Sequence, residues 1–188
     1  TQEKLEIAKQ LERLGVDVIE AGFAASSSGD FDAVQAISRE IRGSIIASLA
    51  RCVFDIVDRA WEAIKDARHP RVHVFLSTSD IHIAHQLRKN REEVLDMAVS
   101  NVARAKALCE DVEFSPMDAT RTDPDYLYQM LEECIKAGAT TVNTCRPRTR
   151  RCLASNPSAH STRCFSACST TTGSRSAGPS FSRSPRAR

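Results

Sequence analysis

Hydrophobic residues along the first 143 positions alternate between a helical and an extended spacing. Ile7, Leu11 and Leu14 follow the i, i+4, i+7 pattern of an amphipathic helix over residues 2–14, and Gly15 ends it. Residues 16–23 (VDVIEAGF) are short, apolar and β-branched, as in a buried strand. The alternation then continues, and it predicts one helix, four strand–helix units and a fifth strand.

The later elements follow the same signals. Helices are predicted over residues 30–41, 54–67, 90–108 and 124–137, and strands over residues 44–50, 71–77, 111–115 and 140–143. A capping pair, Asn90 with Glu93, begins the third of these helices, and Asp123 with Pro124 begins the fourth. The buried stripes are expected at Val94, Ala98, Val102 and Ala105, and at Leu127, Met130, Leu131, Cys134 and Ile135.

This order of elements predicts an α/β fold with a parallel sheet, because parallel strands need helical crossovers between them. Two architectures fit the pattern. One is a doubly wound sheet of five strands, and the other is five strands of an eight-stranded barrel. Periodicity leaves both open.

Polar residues cluster at the carboxyl ends of the predicted strands. They are Glu20, Arg51, His73 with Ser77 and Thr78, Ser115 with Asp118, and Asn143. Ligands meet the carboxyl ends of the strands in both architectures. The set therefore predicts the mouth of a binding site.

Composition divides the chain near residue 143. All 24 acidic residues lie in residues 1–143, and residues 144–188 hold ten Ser, nine Arg and no acid. The first part has a net charge of −7, which does not favour nucleic-acid binding, and no apolar run predicts a membrane span. We expect no nucleic-acid or membrane partner, a cytoplasmic protein, and Cys52, Cys109 and Cys134 as buried free thiols.

Four segments carry a resemblance to a known family. GVDVIEAGF, RAWEAIKDARHPRVHVFLSTSDIH, DVEFSPMDATRTDPDYLY and IKAGATTVN resemble the bacterial 2-isopropylmalate synthases, in the aldolase-like acyltransferase group. The resemblance covers residues 1–143 in order and is weaker for the homocitrate and citramalate synthases. It implies a partial TIM barrel, about five of eight βα units, running from the first helix through the sixth strand of that fold.

The resemblance also implies a reaction. A divalent metal (Mg, Mn or Zn) polarises the ketone of 2-oxoisovalerate, and the enolate of acetyl-CoA attacks it. Members of the family are homodimers. Carried over by position, His73, Ser115 and Asn143 are expected to contact the 2-oxoacid. Glu20 and Arg51 are expected at the mouth with less defined substrate-binding roles.

The chain departs from the family pattern at three places that carry chemistry. The family's Arg-Asp pair on the first strand and its His-x-His metal ligands are not found in residues 1–188. Met117 stands where the family has a glutamate. We therefore expect no metal ligands and no complete catalytic set in this chain, and a fragment that is inactive alone. The alternative is a non-catalytic binding module with a basic arm.

Residues 144–188 depart from the family altogether. The family continues after Asn143 with Ile-Pro-Asp-Thr-Val-Gly, whereas this chain continues Thr144-Cys145-Arg146-Pro147. We expect a disordered segment that is translated out of frame, with a genuine Ser/Arg-rich arm as the alternative. Sequencing the gene across codon 143 decides between them, and an intact reading frame would remove the frameshift hypothesis.

Overall fold

The computed structural model describes residues 2–144 and 164–165. The helices are α1 (Gln2–Arg13), α2 (Ser28–Glu40), α3 (Phe54–Ile64), the short α4 (Asp80–His82), α5 (Arg91–Leu108) and α6 (Pro124–Ala137). The strands are β1 (Val18–Gly22), β2 (Ile45–Arg51), β3 (Pro70–Ser77), β4 (Val112–Met117), β5 (Thr141–Val142) and β6 (Cys164–Phe165). A π-helical turn (Ile83–Leu87) follows α4, and a 3-10 turn (Ala119–Arg121) follows β4.

The strand order decides between the two architectures that the sequence leaves open. All neighbouring strands are parallel, and their order is β5-β4-β3-β2-β1-β6. A doubly wound sheet reverses its strand order at a switch point, whereas β1 to β5 here follow one another without a reversal, and among the described strands only the two-residue β6 lies on the other side of β1. Four successive crossovers between neighbouring parallel strands, β1 to β5, build an arc of a TIM barrel. The expected α/β partial-barrel fold is confirmed.

Local sequence signals explain where the long helices begin and end. Asn90 and Glu93 form a capping box in which the Asn90 side chain accepts from the Glu93 N–H and the Glu93 side chain accepts from the Asn90 N–H. Asp123 caps α6 and Pro124 is its first residue. Gly138 ends α6 with φ 118°, a left-handed conformation that favours glycine.

The hydrophobic core lies between the outer face of the sheet and the helices. Val72, Val74 and Phe114 fill the strand side of it and are fully buried. From the helix side come the four residues expected on the stripe of α5, namely Val94, Ala98, Val102 and Ala105. The cysteines expected as buried free thiols, Cys52, Cys109 and Cys134, are confirmed as such.

Three apolar residues expected to be buried are exposed. Ile7 on α1 is 60% exposed and Leu14, just after α1, is 78% exposed, while Ala8 makes the buried contact. On α6, Ile135 is 52% exposed and Tyr126 is buried instead. Helical spacing identifies the apolar face of a helix but not which side of that face the neighbouring element covers. These three side chains lie on the side that is left uncovered, so the expectation that they are buried is wrong.

The expectations for residues 144–188 fall almost wholly outside the described residues. Of that segment, Cys164–Phe165 is described, and it pairs in parallel with Val18 and Ile19 of β1. Within residues 2–144 and 164–165, no helix is both long and apolar enough to cross a bilayer.

Candidate active site

Side chains on the inner face of the sheet come from alternate strand positions. Val72, Val74 and Leu76 of β3 point into the helical layer and are buried there. Arg71 and His73 therefore lie on the opposite, concave face, because successive side chains of a strand alternate between faces. The same alternation puts polar side chains of β1 and β4 on this face.

Strand register brings these polar residues together. His73 pairs in register with Leu49 on β2 and with Glu113 on β4. Glu20 of β1 pairs with Ala47 of β2, which lies between β1 and β3. A methyl side chain at Ala47 leaves room for the Glu20 carboxylate to reach across β2.

His73 is the centre of the resulting network. Its Nδ1 lies 2.5 Å from Oε2 of Glu20 and its Nε2 lies 2.7 Å from Oγ of Ser115. A carboxylate accepts hydrogen bonds, so Nδ1 carries the proton towards Glu20. Nε2 then faces the hydroxyl of Ser115, either as acceptor in the neutral ring or as donor in the charged ring. The His73 side chain is 11% exposed and that of Glu20 is 26% exposed, so a small ligand reaches both from the concave side.

A buried ion pair supports this network from β4. Arg71 NH1 donates to Oε2 of Glu113 at 3.2 Å, and Arg71 Nε donates to Oδ2 of Asp111 at 2.8 Å. The other Glu113 oxygen accepts from Nδ2 of Asn143 at 3.1 Å and lies 3.7 Å from Nε2 of His73. Asn143 is thus linked to His73 through Glu113, not directly.

Of the five residues expected to bind substrate, Arg51 lies apart from the network. Its guanidinium lies 5.9 Å from the centre of the Phe23 ring and is solvent-exposed. In register it pairs with Phe75, two positions beyond His73 on β3. The structure therefore brings together Glu20, His73 and Ser115, adds Asn143 through Glu113, and leaves Arg51 at the rim.

Sequence reasoning missed Arg71 and Glu113, although the signal was present. Each lies two positions before a predicted site residue on the same strand, His73 and Ser115 respectively. A spacing of two places side chains on the same face of a strand. In RVHV and in VEFS every second residue is polar, and this period of two identifies Arg71 and Glu113.

Met117, the last residue of β4, and Asp118, which begins the following turn, lie at the rim of the sheet. Asp118 has φ 64°, a left-handed conformation, and its carboxylate accepts from Ser79 Oγ at 2.5 Å and from Arg121 Nε at 2.8 Å. The Arg121 guanidinium and then the Ser79 hydroxyl hold the pKa of Asp118 below its ordinary value. Met117 is 36% exposed, and its carbonyl accepts from Thr78 N at 3.1 Å.

A metal site does not assemble from this part of the chain. Among residues 2–144, no group of three or more His, Cys, Asp and Glu side chains is placed to hold a metal ion. Both ring nitrogens of His73 face protein partners, and Glu113 is paired with Arg71. The described donors therefore do not fit a metal on their own.

Comparison with known proteins shows the family and the fold of this chain. The HMGL-like family matches residues 1–166, and the chain belongs to this family. Enzymes of this family are metal-dependent and aldolase-like. A crystal structure of the HMG-CoA lyase of Bacillus subtilis matches 76% of this chain and 50% of that chain, with a TM-score of 0.58 and 20% sequence identity, which shows the shared TIM-barrel fold.

More similar relatives carry one name. The chain is 61% identical over 141 residues to the 2-isopropylmalate synthase of Syntrophus aciditrophicus, and the match covers 75% of this chain and 27% of the relative. It is 58% identical over 142 residues to that of Ruminiclostridium cellulolyticum, covering 76% and 28%. The 2-isopropylmalate synthase of Gloeobacter violaceus is 58% identical over 144 residues. The matched segment thus spans little more than a quarter of the length of these relatives.

Proposed function

We propose that the concave face around His73 is the 2-oxoacid-binding part of a 2-isopropylmalate synthase, which condenses acetyl-CoA with 2-oxoisovalerate on the way to leucine. The observation that carries the proposal is the network of Glu20, His73 and Ser115 on the concave face of three parallel strands. The names of the relatives, at 58–61% identity, support the substrate assignment.

The geometry supports binding of a 2-oxoacid in two ways. When the His73 ring is charged, its Nε2–H donates towards Ser115 Oγ, and the Ser115 hydroxyl can then donate a hydrogen bond to a carbonyl or carboxylate oxygen on the concave side. Glu20 fixes the orientation of the His73 ring through Nδ1, so the imidazole is positioned before the ligand arrives. Arg71 and Asn143 hold the Glu113 carboxylate in place beneath the ring.

Binding of the 2-oxoacid is not sufficient for the condensation. Taking the proton from the acetyl group needs a general base, and the resemblance implies a glutamate at the position of Met117. A thioether neither accepts a proton at neutral pH nor carries charge. We infer that the site of this chain binds the 2-oxoacid but does not complete the condensation.

The divalent metal, the acetyl-CoA partner and a homodimeric assembly belong to the whole enzyme that we propose. The metal would polarise the ketone when it is bound. A cytoplasmic location fits the three buried free thiols of the described residues, since reducing compartments keep cysteines unpaired.

The test uses a chimera in which the matched 141-residue segment of the Syntrophus aciditrophicus relative is replaced by this chain's segment. Calorimetric titration with 2-oxoisovalerate measures binding. We expect His73→Leu to weaken binding by about tenfold or more, because a hydrogen bond to a charged ligand is lost.

His69→Leu is the matched control, since His69 is exposed at the opposite end of β3. It is expected to leave the dissociation constant within about twofold. Equal effects of the two substitutions, or undiminished binding by the His73→Leu chimera, would show that the 2-oxoacid does not lie against this network.

A further inference from the structure

A small cavity lies next to the His73 network but outside it. Its volume is about 230 Å³, and it opens between the carboxyl ends of β2 and β3 and the π-helical turn Ile83–Leu87. Pockets for drug-sized ligands run from ~300 to ~1,000 Å³, so this one suits a smaller molecule. It neighbours the network because Arg51 and Phe75, which line it, pair in register two positions beyond Leu49 and His73.

The charge of the cavity comes from Arg51. No Asp or Glu lines the cavity within the part of the chain that the structure describes. The Arg51 guanidinium makes no ion pair with any other described residue, in contrast to Arg39, Arg71, Arg91, Arg104 and Arg121. A guanidinium that makes no hydrogen bond to another described residue, at the rim of a cavity, is suited to bind a carboxylate in a bidentate manner.

The other residues that line the cavity are uncharged. Phe75, Leu87 and Met97 give the cavity an apolar lining, and Ser77 with Gln86 provides one polar patch. Ser77 Oγ donates to Oε1 of Gln86 at 3.1 Å, which leaves the Gln86 amide nitrogen to donate to a ligand. Cys52 also lines the cavity, and burial raises the pKa of its thiol, so it stays neutral and does not repel an anion.

The π-helical turn gives the cavity its outer wall. The turn ends at Arg88, which has φ 54°, and Lys89 N donates back to the Ile83 carbonyl at 3.2 Å. Widened turns of this kind occur often at functional sites. Here the turn places Gln86 and Leu87 over the ends of β2 and β3, so the polar patch and part of the apolar lining depend on it.

We propose that this cavity is a second ligand subsite, which binds a short branched monocarboxylate through Arg51 and the Gln86 amide. The inference rests on the proposed function only in naming branched acids as the ligand class. The subsite is separate from the proposed 2-oxoacid position against His73. A 2-oxoacid substrate and an acid without the keto group present the same carboxylate to this subsite.

The experiment titrates the full 188-residue chain with isovalerate, and separately with 2-oxoisovalerate, by calorimetry. Arg51→Gln removes the guanidinium, and Gln86→Glu keeps the acceptor for Ser77 but adds a negative charge inside the cavity. Both are expected to weaken isovalerate binding by about tenfold or more. Arg59→Gln is the matched control, because Arg59 also lies over a phenyl ring, 4.2 Å from the centre of Phe31, away from the cavity.

The His73→Leu variant separates this subsite from the site of the proposed function. We expect it to retain isovalerate binding within about twofold, whereas its 2-oxoisovalerate binding falls. Isovalerate binding that is lost in His73→Leu, or that survives both Arg51→Gln and Gln86→Glu, would overturn the second subsite and leave the proposed function standing. Absence of isovalerate binding to the wild-type chain would also overturn the second subsite. Thermal unfolding of each variant verifies that it is folded.

Discussion

At the scale of residues, the candidate site is held by a buried charge pair that sequence patterns did not single out. Arg71 and Glu113 have side chains 8% and 3% exposed, and each makes a second polar contact. Removing one partner of such a pair leaves an unpaired charge in a poorly solvated position. The sequence indicated His73, Ser115 and Asn143, but the partners that orient them depend on register between strands far apart in the chain.

Arg71→Met is therefore expected to lower the free energy of unfolding by ~3–5 kcal/mol. Arg104→Met is the control, because Arg104 pairs with Asp58 on the surface with both side chains more than 40% exposed, and its loss is expected to cost less than ~1 kcal/mol. Urea denaturation at pH 7 measures both. Similar losses for the two variants would contradict the structural role given to Arg71.

Asp118 makes the turn after β4 sensitive to acid. Its pKa is depressed below the ordinary value of 3.8 by Arg121 and Ser79. A depressed pKa in the folded state contributes stability that is fully present above pH 3.8 and is lost as the pH falls through the lower, folded value. Asp118→Asn is expected to flatten the loss of stability between pH 4 and pH 2, measured by denaturation at each pH. An unchanged pH profile would show that the contacts of Asp118 are not formed in solution.

At the scale of elements, the sequence predicted the long helices and the strands, and it failed where local spacing is ambiguous. Asn90 with Glu93 and Asp123 with Pro124 fixed two helix starts, because capping is a local interaction. The π-helical turn at Ile83–Leu87 was not predicted, since a widened turn has no spacing of its own in the sequence. Ile135 was assigned to a buried face and is exposed, because which edge of an apolar stripe is covered depends on the neighbouring element.

Two glycines are expected to respond to alanine in opposite directions. At Gly138 the φ is +118° and an added Cβ would meet Lys106 Cγ at 2.5 Å. Gly138→Ala is therefore expected to lower the free energy of unfolding by ~1–3 kcal/mol. Gly29 lies in α2, where a Cβ would meet only Ser27 Oγ at 3.9 Å, so Gly29→Ala is expected to raise it by ~0.4–1 kcal/mol. Thermal unfolding measures both, and a shift in the same direction would contradict the backbone geometry at Gly138.

At the scale of the whole molecule, periodicity predicted the number and order of the main helices and strands but not the architecture that they form. Periodicity gave five parallel strands and left a doubly wound sheet and a barrel equally open. The order β5-β4-β3-β2-β1 and the fold shared with the HMG-CoA lyase of Bacillus subtilis together decide for the barrel, and strand order is a property of long-range pairing. The resemblance carried by segments such as DVEFSPMDATRTDPDYLY indicated the same fold from the residues alone.

We propose that this face binds the 2-oxoacid of an acyltransferase, and that Met117 stands where such an enzyme has its proton-transferring carboxylate. The most direct test is the release of CoA from acetyl-CoA and 2-oxoisovalerate by the chimera, with and without Met117→Glu. Tyr128→Glu, at a position 57% exposed on α6, controls for the added charge. The account predicts a gain of ~10²–10⁴-fold in kcat for Met117→Glu alone. Turnover by the unmodified chimera at the rate of the parent enzyme, or no gain from Met117→Glu in a chimera that binds 2-oxoisovalerate, would contradict it.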